Sequence, residues 1–307
     1  MKEEKEENSE VNWLELIRSF IAITLLFTLL LTYTGFLDSI AKLIGLIIIV
    51  FLIVLILFLN NYLSDLREIA EILLIFILLS KIFIGPRMLV PLVAVTSQSM
   101  LHQKNNPNEW KNRLISHDIP KEKIEKFPMQ NGFDRGDMIV VKTPDGKGEF
   151  NLILPFGEKK KREIFKFTWP TFFSKTKLGD VIIYERDFAH GGGEPIIHRV
   201  VGIVHIKNWS VEKIEGTLDC LTIDEINSKY IPMIVNCINT KGNCPYKSYP
   251  STGDFNFYIT KGDNNKRTDQ CGSIAYPIND KQLLARGWIR LPYIGWLKLI
   301  MNSFLRI

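Results

Sequence analysis

Three long apolar runs crowd the first hundred residues, and they limit what this chain can fold into more than any other feature. Phe20–Phe36 is apolar apart from its threonines and Tyr33, Leu43–Leu59 contains no polar residue, and Ile69–Ile84 carries Glu71, Ser80 and Lys81 near its ends. A helix that is apolar on every face belongs in a bilayer or in a deep core. Nothing else in the 307 residues is large enough to wrap two such helices. The runs therefore predict three transmembrane helices within 17–87, after a polar, glutamate-rich tail at 1–16. The segment lacks the basic start and clear small-residue cleavage site of a removed signal, so it reads as a retained anchor. Arg67, Glu68, Glu71 and Lys81 can snorkel to the interfaces, and Gly85-Pro86 stops the last helix.

Three spans place the N-terminus and residues 88–307 on opposite sides. Lys2, Lys5, Arg18 and Arg67 against Lys42 lean towards an inside tail and an extracytoplasmic C-terminal domain. Outside the anchor the lysines are scattered among carboxylates. With a net charge of +5 and no basic stripe interleaved with aromatics, nucleic acid is not an expected partner. The four cysteines, Cys220, Cys237, Cys244 and Cys271, show no C-x-x-C pair and no histidine at zinc-finger spacing, so no metal or other cofactor is expected. In an oxidising compartment they can form one or two disulfides, Cys237 to Cys244 being the shortest closure; free buried thiols are the other reading.

Beyond residue 88 the apolar residues come in strand-length stretches, which predicts a mainly β domain. Val93-Ala94-Val95-Thr96-Ser97-Gln98-Ser99-Met100 ends a β-branched strand on serines, where a hydroxyl can face a cleft. Gly136-Asp137 and Gly179-Asp180 each precede an apolar strand, glycine supplying positive φ and aspartate capping free amides. Pro195 to Ile203 is a strand whose alternation puts His198 on the face of Ile196 and Val200. Phe257 to Lys261 then enters a Gly262-Asp263-Asn264-Asn265 loop, with Asp269 six positions beyond Asp263. Three insertions interrupt this pattern. Residues 101–131 read as a polar loop with a short helix, His102 and His117 being solvated. Residues 144–177 hold Lys159 to Arg162 beside Phe165, Phe167, Trp169, Phe172 and Phe173, which suits either lipid headgroups or a satellite core. Residues 206–253 hold three cysteines and the sequon Asn208-Trp209-Ser210. His190 and His205 are weaker candidates than His198. The closing stretch from Trp288 is amphipathic and too short to span; it packs on the domain or lies at the bilayer surface.

Together the serine stretch, the Ile-Ile-His-Arg-Val-Val-Gly strand and the Lys-Gly-Asp-Asn-Asn-x-x-x-Asp loop resemble type I signal peptidases, specifically the archaeal and endoplasmic-reticulum branch of that family. The two Gly-Asp strand starts and Leu291-Pro292-Tyr293-Ile294-Gly295-Trp296 are similar too, so the resemblance covers roughly 88 to 300. It implies a signal peptidase/LexA-like β fold behind the membrane helices, with Ser99 as nucleophile, His198 as general base, Asp269 orienting the imidazole and Asp263 in support. The bacterial branch carries lysine where His198 stands. The family pattern Ser-Gly-Ser-Met-x-Pro is changed here to Ser97-Gln98-Ser99-Met100-Leu101-His102.

A serine hydroxyl needs a base and a third group fixing that base's tautomer. The Ser99 amide and the Ser97 hydroxyl are the nearest donors for an oxyanion. Val95 and Met100 flank the substrate path, where an extended precursor can add to the Leu92–Thr96 strand. The resemblance implies secretory preproteins as substrates, the bilayer and the translocation machinery as partners, and the cell or endoplasmic-reticulum membrane as location. Two other readings fit the same residues: a non-catalytic anchored β module that binds translocating chains, and a processing protease with one dedicated substrate.

Overall fold

A computed structural model describes residues 19–24, 62–88, 90–103, 105–156, 160–240 and 244–305. The chain divides into two units, 1–79 and 80–307. The three expected membrane helices are not supported. The first run is described only at its start, where 19–24 are helical, and the second lies outside the described residues. The third becomes part of helix α1, Tyr62–Ile84, which begins before the apolar run and so takes in Asp65, Arg67 and Glu68. Among the described residues no helix is long and apolar enough to cross a membrane.

The second unit is built on an eight-stranded antiparallel sheet, as its β-branched stretches predict. Its strands are β1 (Leu92–Ala94), β2 (Met138–Lys142), β5 (Val181–Tyr184), β6 (Ile196–Lys207), β7 (Ser210–Gly216), β8 (Phe255–Lys261), β9 (Ile278–Asn279) and β10 (Leu283–Leu291), and β3 (Asp145–Phe156) pairs with β4 (Lys160–Lys175) in a separate ribbon. The order is β1-β2-β10-β5-β6-β8-β9. Along one edge of β6 its first residues pair with β5 and its later ones with β7, while β8 follows the other edge. Both Gly-Asp turns act as expected: Asp137 accepts the Asp134 amide at 2.7 Å and Asp180 the Lys177 amide at 2.8 Å. Each also holds an arginine from β10, Arg290 and Arg286 respectively.

Strand β6 is buried on both faces, because helices cover one side and the turns after β8 the other. The covering helices come from two of the stretches that read as insertions. Residues 101–131 supply α2 (Glu109–Ile115) and α3 (Lys121–Ile124), whose Trp110, Leu114 and Ile124 join a cluster with Val204, Phe257 and Ile259. Residues 206–253 supply β7 and α4 (Ile231–Thr240), whose Ile231 and Ile234 bury in that same cluster. These stretches are therefore core, not additions to it. The 144–177 stretch is the β3–β4 ribbon, where Phe172 is 88% exposed while Phe167 stacks on Trp169 and Phe173 meets Trp288 edge-on; the side chains of 150–166 lie outside the described residues. The last helix, α5 (Gly295–Leu305), sets Trp296 over the Gly136 turn while Tyr293 and Leu297 stay exposed. Two disulfides form, Cys220–Cys271 and Cys237–Cys244.

Candidate active site

His198 sits early in β6 with its side chain 6% exposed, and its Nδ1 bonds Asp269 Oδ2 at 2.7 Å. The carboxylate is held by its own loop: the Asp269 amide donates to Thr260 O at 2.7 Å, which fastens the turn after β8 back onto that strand. Two hydroxyls also donate to Oδ2, Tyr184 at 2.8 Å and Thr260 at 2.5 Å. Burial, and then the neighbouring Asp269 charge, push the Tyr184 phenol well above its ordinary pKa, so it remains a neutral donor. With its second oxygen committed three ways, Asp269 cannot swing. It fixes the imidazole's orientation, and with Nδ1 carrying the proton, Nε2 is left as the basic nitrogen.

Ser99 lies in the turn that follows β1. Its hydroxyl is 3.1 Å from that of Ser97, and among the described residues no hydrogen bond joins it to His198. The turn is nevertheless tied to the Asp263 loop, since Asn264 N donates to Ser99 O at 2.8 Å and Asn264 Nδ2 to Gln98 O at 3.3 Å. Glycine is required at 262 for this approach: a Cβ there would lie 2.8 Å from Ser99 O. Met100, fully buried, anchors the other side of the turn, its sulfur facing the Asp263 amide at 3.4 Å.

Asp263 faces neither the serine nor His198 in the hydrogen-bond network. It takes Arg199 bidentately, Nε on Oδ1 at 2.9 Å and Nη2 on Oδ2 at 2.8 Å, and His102 Nε2 on Oδ2 at 2.8 Å. Arg199, fully buried, also donates to Pro128 O at 2.7 Å and Gly179 O at 2.9 Å and lies over the Trp110 ring. Asp263 is thus the junction of the His198 strand, the serine turn and α2. The Arg199 charge holds its carboxyl at about 2 despite burial.

His102 does not lie in solvent as its polar surroundings suggest. Its ring stacks on Trp110 with centroids 4.7 Å apart and caps Asp263. His117 leans towards Asp219 at 3.6 Å, His190 bonds Asp187 at 2.6 Å and His205 bonds Asn256 at 2.8 Å, all three away from His198's network. Val95 cannot offer its backbone to a substrate, because its N–H donates to Asp137 O at 2.9 Å and its carbonyl accepts from Gly136 N at 2.9 Å. By the alternation of a strand, the free edge of β1 belongs to Leu92, Ala94 and Thr96. Tyr184, Thr260 and Arg199 escaped notice in the sequence. Each is a close neighbour of a motif residue, Arg199 beside His198 and Thr260 ahead of Lys261-Gly262-Asp263, but nothing in a β-branched or aromatic strand residue tells which carboxylate it will meet. Among the described residues no group of histidine, cysteine and carboxylate side chains could hold a metal ion.

Set against models of protein families, curated proteins and solved structures, the chain matches none of them.

Proposed function

We propose that this chain is a membrane-anchored serine endopeptidase that removes N-terminal signal peptides from secretory precursors through an acyl-enzyme on Ser99. The observation that carries the reading is the buried 2.7 Å bond between His198 Nδ1 and Asp269 Oδ2, which leaves an oriented imidazole with a basic Nε2. The Ser99 hydroxyl turns from Ser97 to His198 when a substrate fills the cleft; such bonds are commonly loose until the complex forms. His198 then takes the hydroxyl proton as Oγ bonds the scissile carbonyl carbon. The imidazolium returns that proton to the leaving amine as the C–N bond breaks, and water, activated by the same ring, releases the acyl group. Ser97 Oγ and the Ser99 amide stand nearest for the oxyanion.

The open edge of β1 suits an extended precursor segment adding as one more strand. Exposed apolar side chains support a lipid-side setting: Ile72 and Phe76 on α1 are 66% and 62% exposed, and Trp288, Tyr293 and Leu297 follow at the other end of the chain. Two disulfides with no free cysteine support an oxidising, extracytoplasmic compartment. Incubation of the detergent-solubilised chain with a precursor should give a shorter product, and Ser99→Ala, His198→Ala and Asp269→Ala should each abolish it. Full cleavage by Ser99→Ala ends the proposal. The pairing of Ser99 with Ser97 favours a second reading, a β module that binds precursors without cutting them; binding without turnover, indifferent to His198 replacement, would establish it.

A further inference from the structure

The turn that carries Ser99 has few side chains of its own to hold it. Thr96, Ser97 and Gln98 are exposed, and the Ser97 and Ser99 hydroxyls meet each other at 3.1 Å. Its backbone is tied at two points, Asn264 N to Ser99 O at 2.8 Å and Phe133 N to Met100 O at 3.1 Å, and Met100 is buried in the core. The next polar side chain along the segment is His102, and it is only 8% exposed.

His102 is built into the domain. Its ring stacks on Trp110 of α2 and lies so close to Gly132 that a Cβ there would come within 2.8 Å of the ring's Cδ2. Nε2 meets Asp263 Oδ2 at 2.8 Å, on a carboxylate that is 1% exposed. Because an ionised carboxylate can only accept, Nε2 carries the proton. The same oxygen takes Arg199 Nη2 at 2.8 Å, and Arg199 follows His198 directly in β6. One buried oxygen therefore joins the segment that carries the nucleophile to the strand that carries the base, through His102 on one side and Arg199 on the other. Arg199 is bidentate and holds Asp263 to β6 without help. His102 supplies the other half of the link, a charge-assisted bond three residues from Ser99.

We propose that His102 is a positioning residue for Ser99, its Nε2–H bond to Asp263 fixing the serine turn relative to the His198 strand. The inference rests on the peptidase reading for its purpose, while the tie itself stands on the geometry. An extended precursor adds at the edge of β1, ahead of the turn, so loss of the tie misplaces the hydroxyl without weakening substrate binding.

The test separates the hydrogen bond from the ring. His102→Gln sets an amide N–H the same number of bonds from Cα and gives up the stack, whereas His102→Phe keeps an aromatic ring for Trp110 and gives up the donor. With the full chain in detergent micelles and a precursor peptide, kcat should fall about tenfold or more in His102→Phe with KM within about twofold of the parent's, the pattern of a misplaced attacking group. His102→Gln should keep both constants near the parent's. Hydrogen–deuterium exchange gives a readout that needs no turnover: in His102→Phe, peptides spanning 97–103 and 262–266 should exchange about tenfold faster while those of β6 do not change, and His102→Gln should match the parent. The reverse ranking, with phenylalanine like the parent and glutamine impaired, would mean that the ring only packs. That result, or unchanged kcat and exchange in a folded His102→Phe, overturns the inference. Should His102→Phe not fold, His102→Gln decides alone: behaviour like the parent's supports the tie, and a fall in kcat with faster exchange overturns it. Faster exchange in His102→Phe of a chain that never cleaves precursor would leave the tie standing and overturn the peptidase reading alone.

Discussion

At the scale of single residues, the site is a contest between burial and pairing. Asp269 and Asp263 are both removed from water, but they are satisfied by different partners and so answer differently to substitution. Asp269→Asn keeps the shape and the hydroxyl contacts of Tyr184 and Thr260 while replacing the acceptor that selects the His198 tautomer. Precursor cleavage by that variant should fall about a thousandfold or more with little loss of stability, as expected when a triad carboxylate is neutralised in place. Asp263→Asn strands the buried Arg199 guanidinium, and its main cost is to the fold: unfolding should become easier by about 3 kcal/mol in a denaturant titration. His102→Ala removes one hydrogen-bond donor to Asp263 and a stacked ring but leaves Arg199 on Asp263, so a loss of about 1 kcal/mol is expected.

At the scale of elements, the loops that carry the site are pinned to the sheet, and the two disulfides pin different things. Cys220–Cys271 closes a separation of 51 residues and lies two positions past Asp269, whereas Cys237–Cys244 closes a separation of 7 at the end of α4. Chain entropy alone makes the first worth roughly 4 kcal/mol and the second roughly 2.5 kcal/mol. Paired serine replacement of Cys220 and Cys271 should therefore lower the denaturation midpoint more and also reduce cleavage, because the Thr268–Gly272 turn is then held by fewer ties. The Cys237 and Cys244 pair should cost stability alone. Equal losses of cleavage from both would show that the first bond does not steady Asp269.

At the scale of the whole molecule, what was readable in the sequence divides along a physical line. Strands announced by a Gly-Asp turn and a β-branched run appear where expected, since turn chemistry and alternation are local. The His198–Asp269 pairing, 71 residues apart, is implied only by the family resemblance of the three motifs together, not by any local pattern. The sequence announces a short helix within 101–131 but not that it roofs β6, because α2 shows only Trp110, Leu114 and a few neighbours to the core and is otherwise polar. His102 reads as solvated in the sequence for the same reason: its burial is made by Trp110 and Asp263, and no window around residue 102 contains both. That roof makes Asp263 a sensor of acid for the whole domain. Its folded carboxyl titrates at about 2 and an unfolded aspartate near 3.8, so the unfolded chain binds more protons between those values. The stabilisation, about 2 kcal/mol, is complete above the unfolded value and is lost as pH falls through the folded one. Between pH 5 and pH 2 the parent's unfolding free energy should therefore drop more than that of Asp263→Asn, by about that amount. Parallel acid profiles for the two proteins would mean that Arg199 and His102 do not hold Asp263 in its charged form.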